Sequence, residues 1–367
     1  MRLQAIGVVK MFRKASSVRS HHESRFPESP EDEFISAYHS TKPKSQRRLE
    51  EGNAGNLATP YKSFNEDYSM ERETRGKIIA DDGNSVDDEE EHAVYIVKQR
   101  HGYAAIFFSV IQTAVLATMI YECGLAPFGL NPMIGPYPDG LSYWGGKNAY
   151  LIVTDHEWWR LVSPIILHAG VLHLIGNVAV QIDAGAFFER EWGTLPWLAI
   201  FLISAVGSSL LSCVVMPNMV SVGSSGAVCG LFGGKLAEIF CRACESKRSV
   251  QGRVGHDVRR EQLGAVLCSV FIVGLFSFVP YVDWGAHLGG LLGGLCVGML
   301  IFPFRIKSPY WKVLWFLVGV AMTFSYFSLL FDRVYNYIEV AEELQDVCEY
   351  YKKMSEGYEC NCQLQNQ

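Results

Sequence analysis

Between residues 102 and 331 the chain repeats one pattern, apolar runs of about 20 residues separated by shorter polar segments. Each run is long enough for a helix to cross a hydrocarbon layer about 30 Å thick. Seven spans are expected, at about 102–121, 165–187, 195–216, 225–241, 262–281, 285–303 and 310–331. Before residue 100 the pattern is absent, Ser, Lys, Arg, Asp and Glu prevail, and residues 1–100 are expected to be largely disordered. The predicted architecture is an all-α polytopic membrane protein with a core of six helices over 101–305. A seventh helix at 306–332 and a tail at 333–367 follow it.

Charge in the connections orients these spans. The connection after span four carries Arg242, Lys247, Arg248, Arg253, Arg259 and Arg260, and that after span six carries Arg305, Lys307 and Lys312. Segment 122–159 has Lys147 alone, and the connections after spans three and five have no Lys or Arg. The positive-inside rule places the N-terminus in the cytosol and the C-terminal tail on the lumenal or extracellular side. Ser225 and His287, near the starts of spans four and six, then lie at similar depth toward the outer face.

Composition adds little: the 367 residues are 49% apolar with a net charge of −6, and no nucleic-acid partner is expected. The first 20 residues are basic without the apolar core of a cleaved signal, so the first apolar span is expected to direct insertion. The acidic run 87–91 reads as a solvated face. Most of the ten Cys lie in apolar spans, where buried thiols are ordinary. Cys241 and Cys244, at the cytosolic end of span four, could be lipidated or bind metal with a second pair, but no second pair is visible and plain packing is the favoured reading. Cys348, Cys360 and Cys362 in the tail could pair in an oxidising compartment or remain thiols.

The candidate chemistry is carried by polar residues inside the spans. His173 and Asn177 stand at i and i+4, about 40° apart on one face of span two. Alone, that pair fits an interhelical hydrogen bond as well as a functional site. Gly223-Ser224-Ser225-Gly226 puts a serine where a loop becomes a helix, beside backbone N–H groups without helical partners. Small-residue faces, Gly226, Gly230 and Gly234 in span four with Gly285, Gly289 and Gly293 and the adjacent Gly290, Gly294 and Gly298 in span six, allow the two backbones to approach. Asp283, four residues before His287, reads as a solvated loop acid.

Together, Glu157-Trp158-Trp159-Arg160, the pattern His168, His173 and Asn177, Gly223-Ser224-Ser225-Gly226, and Ala286-His287-Leu288-Gly289-Gly290 resemble the rhomboid intramembrane serine proteases, in order and in spacing. The resemblance covers roughly residues 100–305, and the added helix makes it similar to the eukaryotic form with a six-helix core plus one C-terminal transmembrane helix. It implies Ser225 as nucleophile, His287 as base without a carboxylate third member, and His173 with Asn177 at the oxyanion. Trp159, Arg160, Glu189, Gly193, Gly223, Gly226 and Gly289 would be structural. It also implies single-span membrane proteins as substrates, cut in or near the bilayer with no cofactor and no metal. The secretory pathway or plasma membrane is favoured over the mitochondrial inner membrane. One departure stands out: one turn after Ser225, many relatives carry an aromatic residue that stacks on the catalytic His, and this chain has Cys229.

Other classes fit less well. His156-Glu157-Trp158-Trp159-Arg160 ends in Arg where a zinc protease needs His, and no Gly-x-Gly-Asp motif lies in a span. A transporter would need a charge relay along several spans. A catalytically inactive rhomboid-like protein that binds or retains membrane clients remains the alternative.

Overall fold

The computed structural model describes residues 99–245, 250–277, 282–354 and 357–362, all within one compact unit. The expected disordered region, its basic start and the acidic run lie outside the described residues, as do Lys247 and Arg248. Among the described residues the regular structure is helical, with two isolated antiparallel bridges, Leu125 with Pro136 and Lys147 with Ser221.

Helices occupy all seven expected spans: α1 Tyr103–Cys123, α2 Val171–Trp192 and α3 Thr194–Val215, α4 Ser225–Arg242, α5 Val250–Phe276, α6 Trp284–Ile301 and α7 Pro309–Asn336. A short helix, α8 Val347–Met354, closes the tail. Five are long and apolar enough to cross a membrane, namely α1, α2, α3, α7 and α6 with its extension to Arg305. The other two carry charge: Lys235, Glu238 and Arg242 in α4, and Arg253, Asp257, Arg259, Arg260 and Glu261 in the first half of α5. Helix α5 therefore begins well before the expected residue 262. Helix α2 starts later than expected, because the apolar stretch before it, with Pro164 inside, folds as two tight turns, Trp158–Leu161 and Ser163–Ile166.

Helix α4 is buried along almost its whole length, and glycine sets its neighbours' distance. A Cβ on Gly290 or Gly294 would overlap the carbonyl oxygen of Gly226 or Gly230, and one on Gly298 would lie 3.0 Å from the Gly234 Cα. Small faces of this kind let helices associate through van der Waals contact where lipid offers no hydrophobic contrast. The second stripe on α6 faces α3 instead: a Cβ on Gly289 would lie 2.6 Å from the Gly207 carbonyl oxygen.

Polar residues tie the ends of this bundle. Glu189 accepts from the backbone N–H groups of Ala104 and Ala105, each at 3.0 Å, and from Thr194 Oγ1 at 2.7 Å. It thereby supplies partners that the first turn of α1 lacks. The buried pair Gln112 and Gln181 joins α1 to α2; Gln181 Nε2 donates to Ser109 Oγ at 2.8 Å and to the Ala105 carbonyl at 3.1 Å. A π-turn at Gln181–Gly185 interrupts α2, and the Gly185 carbonyl accepts from Trp197 Nε1 at 2.9 Å.

At the end of the bundle away from Ser225, the buried Lys235 ammonium meets Glu191 at 2.6 Å and Glu238 at 2.8 Å. Arg242 and Arg305 approach Glu238 at 3.7 and 3.8 Å, and Arg259 reaches Glu245 at 3.2 Å. Among the described residues these charges form a cluster at one end of the helices. At the Ser225 end, disulfides Cys123–Cys362 and Cys348–Cys360 fasten the tail to the end of α1 and to itself. Tyr358 donates to Asp139 at 2.5 Å, and Asn148 Nδ2 donates to the Leu344 carbonyl at 2.8 Å.

Candidate active site

Gly223, at φ 125°, turns the chain into α4 and donates its N–H to the Pro164 carbonyl at 2.9 Å. A left-handed φ at this position favours glycine, and space demands it too: a Cβ there would lie 2.7 Å from His173 Cε1 and 2.9 Å from Nε2. Two residues on, Ser225 opens α4, so the first-turn N–H groups beside it lack helical acceptors.

His287 sits one turn into α6. Its Nε2 lies 2.8 Å from Ser225 Oγ, although 62 residues separate them in the chain. Its Nδ1 lies 2.7 Å from Ser277 Oγ, just past the end of α5. Both Ser225 and His287 are half-buried. Asp283, read from sequence as a solvated acid, is instead the cap of α6. Its carboxylate accepts from the Ala286 N–H at 2.8 Å, from Ser221 Oγ at 2.5 Å and from Ser212 Oγ. Those bonds fix the start of the helix one turn before His287. A polar residue directly before an apolar run is the ordinary signal for such a cap.

His173 and Asn177 share the face of α2 turned toward this turn. The Ala169 N–H donates to His173 Nδ1 at 3.4 Å, leaving Nε2 as the proton-bearing nitrogen, aimed at Gly223. Asn177 Nδ2 donates to the His173 carbonyl at 3.0 Å and keeps a second hydrogen, while its Oδ1 accepts from Ser224 Oγ at 3.5 Å. The buried His168 ring packs edge-on against His173, centroids 5.2 Å apart. Serine, imidazole and a bank of N–H donors thus converge where α2, α4 and α6 meet, an arrangement able to activate a hydroxyl and to receive a developing oxyanion.

Residues 155–304 match the rhomboid domain family. This stretch of the chain is a rhomboid domain. It is 32% identical over 206 residues to RHOMBOID-like protein 6, mitochondrial, of Arabidopsis thaliana, covering 53% of this chain and 63% of that protein. It is 29% identical over 209 residues to Rhomboid-like protease 2 of Toxoplasma gondii, covering 56% and 68%. It is also 29% identical over 165 residues to Inactive RHOMBOID-like protein 8 of Arabidopsis thaliana, covering 44% and 43%. The chain spans 43–68% of the length of these three curated relatives.

The remaining expected rhomboid positions shape the loops and helix contacts that hold the site. Arg160 is buried in the loop between α1 and α2, donating Nη1 to the Ser142 carbonyl at 2.6 Å and to Gly146 at 3.1 Å while its Nε meets Glu157. Its guanidinium stacks on Trp159 at 4.5 Å. The arrangement locks the loop fold through three acceptors and one ring. Glu189 anchors α1 at the opposite end, Gly226 and Gly289 make helix contacts, and Gly193, at φ 85°, joins α2 to α3. Among the described residues no group of three or more His, Cys, Asp or Glu side chains could hold a metal ion. Ser277 carried no sequence signal, because a serine near a helix end ordinarily bonds its own backbone.

Proposed function

We propose that this rhomboid is an intramembrane serine endopeptidase that hydrolyses single-span membrane proteins in or near their transmembrane segment. The observation that carries the reading is the 2.8 Å contact between His287 Nε2 and Ser225 Oγ at the meeting of two helices. Ser225 Oγ attacks the scissile carbonyl carbon as His287 Nε2 takes the hydroxyl proton. The carbonyl oxygen becomes an oxyanion facing the first-turn N–H groups of α4, His173 Nε2 and the spare hydrogen of Asn177. Collapse of the intermediate sends the proton from His287 to the leaving amine, and water then cleaves the acyl-enzyme by the reverse route. A substrate helix must unwind to expose its carbonyl, which favours sites near the membrane surface with small or helix-breaking residues.

Two observations support the orientation. Basic side chains gather at the end away from Ser225, which favours a cytosolic face there and an N-terminus inside. Disulfides Cys123–Cys362 and Cys348–Cys360 favour an oxidising compartment at the Ser225 end, and so the secretory pathway or cell surface. The alternative, an inactive rhomboid that binds membrane clients, is favoured by Cys229 and by the inactive relative. Retention of both Ser225 and His287 in bonding geometry weighs more. Co-expression with a panel of type I membrane substrates tests the reading: wild type should release their outward domains, and S225A and H287A should not. Equal cleavage by all three would overturn it.

A further inference from the structure

We propose that Ser277 is the positioning residue of this site: it fixes the tautomer of His287 and completes a directed chain from Ser225 through His287 and Ser277 to the Val273 carbonyl. The proposal rests on the serine-protease reading and deepens it.

The argument is one of hydrogen counting. Ser277 Oγ lies 2.7 Å from His287 Nδ1 and 2.7 Å from the carbonyl oxygen of Val273. A hydroxyl has one hydrogen, and a carbonyl can only accept. Only one assignment uses every contact. Ser277 O–H donates to Val273, so Ser277 Oγ accepts from an Nδ1–H, and the neutral ring then presents an unprotonated Nε2 to the Ser225 hydroxyl at 2.8 Å. That is the tautomer a general base toward Ser225 requires. The opposite tautomer would break the Ser277 to Val273 bond and leave Nε2 donating to Ser225, unable to take its proton.

Among the described residues, the other groups around the ring leave this task open. Asp283, on the helix of His287, spends its carboxylate on Ser212, Ser221 and the Ala286 N–H. His173 on α2 faces Gly223, and Cys229 on α4 has no ring with which to stack on the imidazole. Ser277 is 7% exposed, so water competes little for either of its bonds. Its position is fixed by its own N–H, which donates to the Val273 carbonyl at 2.9 Å. Once His287 holds two protons, the Nδ1–H still meets the lone pairs of a hydroxyl whose hydrogen points away, so the imidazolium is stabilised without a buried carboxylate.

The test uses the full-length protein in detergent and a fluorescent fluorophosphonate, comparing wild type, S277A, S277T and S277V by maximal labelling rate, half-saturating probe concentration and melting temperature. Threonine keeps the oxygen, and valine has the same shape without it. The maximal rate should fall on the order of 10²-fold in S277A and S277V, with half-saturation unchanged, and threonine should restore most of it at equal thermal stability. Wild-type rates in S277V, or equal losses in S277T and S277V, would overturn the assignment. S225A separates the two levels. Labelling that persists in S225A sinks the protease reading itself, whereas labelling lost in S225A but intact in S277V sinks only the role of Ser277.

Discussion

Gly290 lies so close to the carbonyl oxygen of Gly226 that a Cβ at 290 would overlap it. The contact sets the register of α6 on α4, and hence the meeting of His287, three residues before Gly290, with Ser225, one before Gly226. Gly290→Ala must push the helices apart. It should cost about 1–3 kcal/mol of stability and depress fluorophosphonate labelling. Gly176→Ala is the control, since a Cβ there meets nothing within 4 Å; its melting temperature and labelling should match wild type.

Glu189 is expected to matter for stability and not for chemistry. Glu189→Ala strands the N–H groups of Ala104 and Ala105, both buried, at a cost of about 1–3 kcal/mol for each unsatisfied donor. The melting temperature should drop, and hydrogen exchange should quicken at the start of α1 before it does elsewhere. Unchanged exchange at Ala104 and Ala105 would show that the cap carries no weight.

Lys235→Met leaves Glu191 and Glu238 facing one another without their shared ammonium. Breaking a buried pair from one side costs about 3–5 kcal/mol. Adding Glu238→Gln should recover part of the loss, and thermal unfolding of the single and double variants measures both. A double variant less stable than the single would contradict the pairing.

Much of this was legible in the sequence, for identifiable reasons. Apolar runs located the helices because the bilayer fixes their length, and the motif residues Ser225, His287, His173 and Asn177 do converge. The misplaced helix starts have local causes: apolar residues in tight turns before α2, and a charged first half of α5 that hydropathy cannot claim. In the sequence Asp283 reads as a solvated acid because its serine partners, Ser212 and Ser221, come from other elements. The Cys123–Cys362 pair joins positions 239 residues apart, which periodicity does not report, and Ser277 has the look of any serine that bonds back to its own helix.

The tail should behave as a redox-dependent clamp on the Ser225 end. Alkylation under non-reducing conditions should leave Cys123, Cys348, Cys360 and Cys362 unmodified, as read by peptide mass. Cys123→Ser should lower stability by about 2–4 kcal/mol. Tail docking should also weaken at high pH. Burial pushes the Tyr351 phenol up to about 12, and burial with the bond to Asp139 raises Tyr358 as well. Raised values in the folded state mean that the stabilisation is complete below the ordinary phenol value near 10 and is lost as pH climbs above it. Tail protection from protease should fall over that window, and protection that stays flat to pH 12 would contradict the buried placement.

The most direct measurement on the central claim is the site of a fluorophosphonate adduct, mapped by peptide mass spectrometry on the purified protein. One adduct on Ser225, absent from H287A, is the expected result. An adduct elsewhere, or on Ser225 at the same rate without His287, would contradict the pairing of these two residues as nucleophile and base.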